Sequence, residues 1–296
     1  MNTAFEGCHP FTSFLYFTAV LAFSMIFVHP LALGVSLLCA IGYAGYLTRG
    51  KSLRFSLAYL LPVLLLTAVL NPLFNHEGAT ILTYLPDGNP LTFESILYGL
   101  SSAAMLSAVI SWFSAFNVVM TSDKLVYLLG RIAPGFSLLF SMTLRFVPRF
   151  RTELSRLAEA QAALGRDVSH GSLFSRIRRG IAILSAMITW SLENAIDTAD
   201  SMKSRGYGLP GRGAYSIFRM SRRDIALTIW IAAASAGIVT GSISGGLSWK
   251  YFPRVSNTFG GPLTYGILAL FLLLCATPLL LTLWEAVRWR ASRSGI

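Results

Sequence analysis

The chain has 296 residues, of which 54% are hydrophobic and only 12% charged, with a formal net charge of +11. Soluble domains carry about a quarter charged residues, so this composition, gathered into long apolar runs, excludes an ordinary soluble domain and predicts an all-α, multi-pass membrane protein. The runs are continuous rather than alternating, which argues against a lipid-embedded β-barrel.

Six spans are predicted in chain order. Phe14 to Val28 and Leu31 to Leu47 are apolar and are separated by His29-Pro30. Proline disfavours helix in the residue before it, so these two runs read as a helical hairpin turning there. The first run has no basic stretch before it and is expected to be a retained span rather than a cleaved leader. A basic loop follows, with Arg49, Lys51 and Arg54. Phe55 to Leu70 is the third span, with Pro62 tolerable in lipid. Asn71 to Pro90 is polar, turn-rich and free of Lys and Arg. Leu91 to Val119 is the fourth span, with small residues from Gly99 to Ala108 that invite close packing. Ile225 to Ile243 and Leu263 to Val287 are the fifth and sixth, joined by a Gly- and aromatic-rich loop.

Between the fourth and fifth spans the character changes. Thr121 to Arg223 holds sixteen of the chain's 24 Lys and Arg. The expected organisation is therefore an N-terminal transmembrane bundle (1–120), a polar region (121–223) and a C-terminal transmembrane hairpin (224–296). Lys and Arg accumulate in loops that stay in the cytoplasm. With six spans and the N-terminus inside, the first basic loop, the polar region and the C-terminus all lie inside. Only Lys250 and Arg254 then lie outside. Topology thus accounts for the positive charge without nucleic acid. Cys8, Cys39 and Cys275 are scattered and form no C-x-x-C, so neither zinc nor a disulfide framework is indicated.

The polar region is patterned for helix. Pro134 and Pro148 are expected to break its first part into short pieces, followed by an amphipathic helix from Arg151 to Arg166 that stops at Gly165 and Ser169-His170-Gly171-Ser172. A second helix is expected from Leu173 to Arg205, with Ile177, Ile181, Leu184 and Ile188 at helical spacing. Arg176, Arg178 and Arg179 crowd its start, the unfavourable end for the dipole, which points to lipid phosphates or an acidic partner. Glu193, Asp197 and Asp200 share one face at i, i+4 and i+7. Without a histidine they read as a solvated stripe paired to nearby arginines rather than a metal site.

Both helices end in arginine. One closes with Leu164-Gly165-Arg166-Asp167, the other with Lys203-Ser204-Arg205-Gly206-Tyr207-Gly208. An arginine there complements the helix dipole, and Gly206 or Gly208 supplies a C-cap, so capping alone explains the pattern as readily as docking does.

Two arginine-ended helices set between the fourth and fifth spans resemble the transmembrane (T) component of energy-coupling factor (ECF) transporters, the EcfT/CbiQ family. That family carries two X-Arg-X motifs, usually Ala-Arg-Gly, at the ends of two coupling helices. Ser204-Arg205-Gly206 matches the second; Gly165-Arg166-Asp167 is similar to the first but departs from it at both flanks. The resemblance implies a non-catalytic subunit in the plasma membrane of a prokaryote, with both termini cytoplasmic. Its partners would be two ABC-type ATPases, a small substrate-binding membrane subunit (the S component) and the bilayer. ATP and Mg would sit on the ATPases and no cofactor on this chain. The cargo would be a vitamin or a metal ion such as cobalt or nickel, chosen by the S component. Arg166 and Arg205, flanked by Gly165, Asp167, Ser204 and Gly206, would pair with carboxylates on the ATPases, with Arg176, Arg178, Arg179, Glu193, Asp197 and Asp200 as secondary contacts.

Two other classes fit less well. A membrane enzyme acting on lipid phosphates needs dense acidic metal-binding clusters, and Glu193, Asp197 and Asp200 lack that spacing. The permease of an ordinary ABC importer would show one coupling loop. Gly208-Leu209-Pro210-Gly211-Arg212-Gly213 lacks the Gly-Lys-Ser/Thr of a phosphate loop and reads as a path back to the membrane.

Overall fold

His9-Pro10 and His29-Pro30 each start a helix in the same way. In the computed structural model, which describes residues 5–48, 51–84, 89–168, 170–210, 218–255 and 261–293, each proline takes the first helical position, where its missing N–H costs nothing. Each histidine is the N-cap, its Nδ1 accepting from the amide two residues on, Phe11 at 3.2 Å and Leu31 at 3.3 Å. The resulting helices are α1 (Pro10–Ile26) and α2 (Pro30–Leu47), the hairpin expected from the sequence. Then come α3 (Lys51–Phe74), β1 (Ile81–Tyr84), β2 (Pro90–Thr92), α4 (Phe93–Val119), α5 (Ser122–Ile132), α6 (Pro134–Ala163), α7 (Leu173–Ser204), α8 (Arg222–Ile243) and α9 (Pro262–Arg293). The protein is an all-α membrane protein. Among the described residues, four helices are long and apolar enough to cross a bilayer: α2, α4, α8 and the Pro262–Glu285 part of α9. Pro10–Ile26 and Pro62–Phe74 are shorter apolar helices.

The chain divides into two compact units, residues 1–125 with 218–296, and residues 126–217. In the first, α4 packs on α2, α3 and α1, and α2 and α8 pack on α9. Trp112 of α4 is wholly buried, edge-on to Tyr16 (6.1 Å) and Phe17 (6.4 Å) and tilted against Tyr43 (6.3 Å). Its indole N–H donates to Ser36 Oγ at 3.1 Å, and Ser36 bonds Ser24 at 2.6 Å. The Ser24 and Ser36 hydroxyls thus satisfy each other and the indole inside an aromatic core, which spares these groups the cost of an orphaned polar atom. The segment before α1 is tied down as well. Lys124 Nζ donates to the Glu6 carbonyl (2.7 Å), and the His9 amide donates to Asp224 (3.0 Å). Asp224 also closes a capping box with Ser221 at the start of α8.

Two features depart from the sequence reading of this unit. The polar stretch after α3 contains an antiparallel hairpin, β1 with β2, and the buried carboxylate of Glu94 accepts from the Thr80 amide (3.1 Å) and hydroxyl (2.8 Å) at its edge. The Gly- and aromatic-rich loop packs back on this region. The Ala79 amide donates to the Pro253 carbonyl (2.9 Å), and the Tyr251 hydroxyl donates to the Val28 carbonyl (2.8 Å). A run of hydrophobicity carries no information about such loop-to-loop bonds. The loop residues 49–50, 85–88 and 211–217 and Ser169 lie outside the described residues, as do the side chains of Lys51, Arg54 and the C-terminal arginines.

In the second unit the expected break at Pro148 does not occur. Pro134 begins α6 and Pro148 lies inside a continuous 30-residue helix. An internal proline loses its own i→i−4 bond and its ring crowds the carbonyl of residue i−4, at a cost of about 3 kcal/mol, which the remaining turns of the 30-residue helix absorb; Thr152 Oγ1 donates to the Pro148 carbonyl at 3.1 Å. The second helix, α7, matches its expected span and is 32 residues long. The two helices meet where the Phe150 ring abuts Trp190 edge-on at 5.5 Å, with the Arg149 guanidinium over the same indole at 5.4 Å.

Candidate functional site

The two ends of the long helices are built alike. α6 has Leu164 as its C-cap (φ −82°, ψ 9°) and α7 has Arg205 (φ −80°, ψ 4°). Glycine follows in each case, Gly165 and Gly206, both at φ +74°. At the first end the Gly165 amide donates to the Ala162 carbonyl (2.9 Å) and the Arg166 amide to Gln161 (2.9 Å). At the second the Gly206 amide donates to Lys203 (2.9 Å) and the Tyr207 amide to Met202 (3.0 Å). Both are Schellman motifs, which need a left-handed residue just past the cap and so favour glycine. Of the two sequence candidates, Gly206 rather than Gly208 fills that place.

The arginines sit differently within these twin frames. Arg205 is the C-cap itself, one residue before its glycine. Arg166 comes one residue after its glycine. Both are exposed, and neither guanidinium has a partner among the described residues. Ser204 caps inward, its hydroxyl donating to the Ser201 carbonyl at 2.9 Å. Asp167 is engaged locally, with its carboxylate 2.8 Å from His170 Nδ1.

Two of the three arginines at the start of α7 have a local role that the sequence did not reveal. Arg176 donates to the Val168 carbonyl (2.9 Å), and Arg179 donates to the carbonyls of Asp167 and His170. These bonds brace the loop between α6 and α7, which explains cations at the unfavourable end of a helix without invoking phosphate. Arg178 is exposed. Glu193, Asp197 and Asp200 are exposed along α7. The arginine pairing expected for them is not seen among the described residues, whose ion pairs include Glu153–Arg156, Asp167–His170 and Arg223–Glu285. Among the described residues no group of three or more His, Cys, Asp and Glu is gathered as a metal site.

Arg179 ties the first end to the beginning of α7, while Arg205 closes α7. At 1.5 Å per residue the two ends are separated by roughly 40 Å along that helix. Between them α7 carries an exposed apolar stripe, Ile177, Ile181, Leu184, Ile188, Leu192 and Ile196. Its spacing of three and four keeps it on one face. The sequence pattern disclosed the first four of these residues, but neither Leu192 and Ile196 nor the exposure of all six.

Comparison with known proteins gives this arrangement a family. The energy-coupling factor transporter transmembrane protein EcfT of Bacillus selenitireducens is 28% identical over 231 residues, 73% of this chain and 85% of that protein. The protein of the same name from Thermosediminibacter oceani is 26% identical over 262 residues, 84% of this chain and 96% of that protein. EcfT 1 of Listeria monocytogenes is 27% identical over 190 residues, 60% and 70% respectively. The model of the CbiQ family, a cobalt transport protein by its description, matches residues 10–215, more than half of the chain and both arginine-bearing ends. The chain therefore belongs to the EcfT/CbiQ family of transmembrane components of energy-coupling factor transporters.

Proposed function

We propose that this chain is the coupling subunit of an ATP-driven importer in a prokaryotic plasma membrane, and that it joins two cytoplasmic ATPases to a small substrate-binding membrane protein. The observation that carries the reading is the pair of matching, exposed helix ends, roughly 40 Å apart along α7, the second closing on Arg205, whose guanidinium has no partner among the described residues. Two separated ends fit two partners better than one. Arginine at the second end suits such a contact, since its planar fork binds a carboxylate through two parallel hydrogen bonds and stays charged. ATP and Mg bind on the ATPases, and hydrolysis there moves the sockets and with them α6 and α7.

The stripe on α7 takes the substrate-binding subunit. It is continuous and apolar, as a contact with another membrane protein requires. Both termini and the unit of residues 126–217 face the cytoplasm, because this orientation puts 22 of the 24 Lys and Arg inside. The cargo, a vitamin or a metal ion, is set by the substrate-binding subunit.

Affinity purification of the full chain from its own membranes in mild detergent tests this. Two ATP-binding subunits and one small membrane protein should come with it, and mass spectrometry of the latter narrows the cargo. A chain that purifies alone and turns over lipid phosphates would replace the coupling reading with an enzymatic one.

A further inference from the structure

The matching frames allow the two ends to be compared position by position. Leu164 stands where Arg205 stands, with backbone angles within a few degrees. Gly165 stands where Gly206 stands, and Arg166 where Tyr207 stands. A side chain leaves the backbone in a direction fixed by its local geometry. Leu164 therefore projects from the first end as Arg205 projects from the second, and Arg166 leaves from beyond the turn, as Tyr207 does.

Among the described residues of the second unit nothing accounts for a leucine at this point, where the residue is 71% exposed. A cation would complement the helix dipole there, and a leucine does not. Of the nearby charges, Asp167 holds His170, and Arg176 and Arg179 hold the loop carbonyls, while Arg166 is exposed beyond the turn. Leu173 and Phe174, at the start of α7, are also largely exposed. At the C-cap position the first end thus offers an apolar side chain, and the second offers a guanidinium.

We infer that Leu164, rather than Arg166, is the ATPase-contacting residue of the first end, and that its socket is apolar where the socket for Arg205 is acidic. The inference rests on the coupling reading above and adds that the two ends are not interchangeable. An acidic socket closed over Leu164 would leave its carboxylates desolvated and unpaired, which disfavours binding. Leu164 is therefore a specificity-determining residue.

The test compares full-length variants in the assembled complex, reading the ratio of each co-purified ATP-binding subunit to the chain by quantitative mass spectrometry. Leu164→Asp should lower that ratio for one subunit at least tenfold. Leu164→Met should stay within twofold of the wild type, and so should Arg166→Ala. Because Leu164 is exposed, the yield of the chain in membranes should not change. Tenfold loss with Arg166→Ala, or wild-type ratios with Leu164→Asp, would overturn the assignment while leaving the coupling reading standing. A wild-type chain that captures no ATP-binding subunit would overturn the coupling reading itself, and this inference with it.

Discussion

Gly165 and Gly206 share the same left-handed backbone angle, +74°, each one residue past the C-cap of a helix of 30 or more residues. A Cβ added at Gly165 would meet nothing within 4 Å, so the whole cost of a side chain there is backbone strain. That cost is about 1–2 kcal/mol for alanine and less for asparagine. Gly165→Ala should speed hydrogen exchange of the Arg166 amide by roughly fivefold to thirtyfold, with Gly165→Asn in between. Equal exchange in wild type and Gly165→Ala would show that the cap is not formed in solution.

Arg205→Ala should weaken ATPase capture and abolish uptake while the chain still inserts. Removing one partner of a desolvated charge pair costs about 2–5 kcal/mol, a thirtyfold or greater loss of affinity. Arg205→Lys keeps the charge but not the fork and should recover only part of it. Pull-down from mild detergent measures this directly, and normal capture by Arg205→Ala would remove the arginine from the docking contact.

The stripe on α7 and the helix ends should separate by mutation. Leu184 lies mid-stripe and is exposed, so Leu184→Glu should leave the second unit folded and ATPase capture unchanged. It should still reduce co-purification of the small membrane subunit by tenfold or more, because an unpaired charge would be buried in that contact. Retention of the small subunit at wild-type levels would place its contact on another face.

Much of the bundle was legible because long continuous apolar runs mark helices that lipid can surround. The hairpin around His29-Pro30 followed from two such runs and the proline between them, and the α7 span with the first four residues of its stripe from their spacing. The hidden part was whatever depends on a single backbone angle or a distant partner. Pro148 looks like a breaker from composition alone, yet one lost hydrogen bond does not end a 30-residue helix whose neighbouring turns hold. Arg176 and Arg179 look like ligands for an external anion until the loop carbonyls they bind are in view. Arg166 and Arg205 both look like the arginine that ends a helix. Only the positions of Gly165 and Gly206 in their caps show that the two differ by two places.

Trp190 is where α6 and α7 touch, through Phe150 and Arg149. An aromatic pair and an exposed cation–π contact contribute about 0.5–1.5 kcal/mol each. Trp190→Ala should therefore leave the helices formed but loosen their crossing. The expected phenotype is retained ATPase capture with ATP hydrolysis that no longer drives uptake, read from transport and phosphate release on the same proteoliposomes. Loss of capture together with uptake would mean that the crossing shapes the docking ends themselves.

Cys8 offers a chemical check on the packing of the first unit. It is buried, and burial pushes its thiol up to about 11. The reactive thiolate is then less than about a thousandth of the population at pH 7.5, against roughly a tenth for an ordinary cysteine. A chain whose only cysteine is Cys8 should label with maleimide at least a hundredfold more slowly than a free thiol, and faster as pH rises towards 11. Rapid labelling at neutral pH would show that residues 5–9 are not held against Lys124 and Asp224.

Phe150 lies 13 residues before the end of α6 and Trp190 lies 14 before the end of α7, so each arm beyond the crossing is about 20 Å long. Two rods pinned at equal distances from their loaded ends have a mechanical advantage near one. A socket that travels a few ångströms on nucleotide binding would therefore displace the opposite arm by a similar amount, neither geared up nor geared down. Shortening one arm by a whole helical turn would unbalance that ratio while preserving every contact at the pivot.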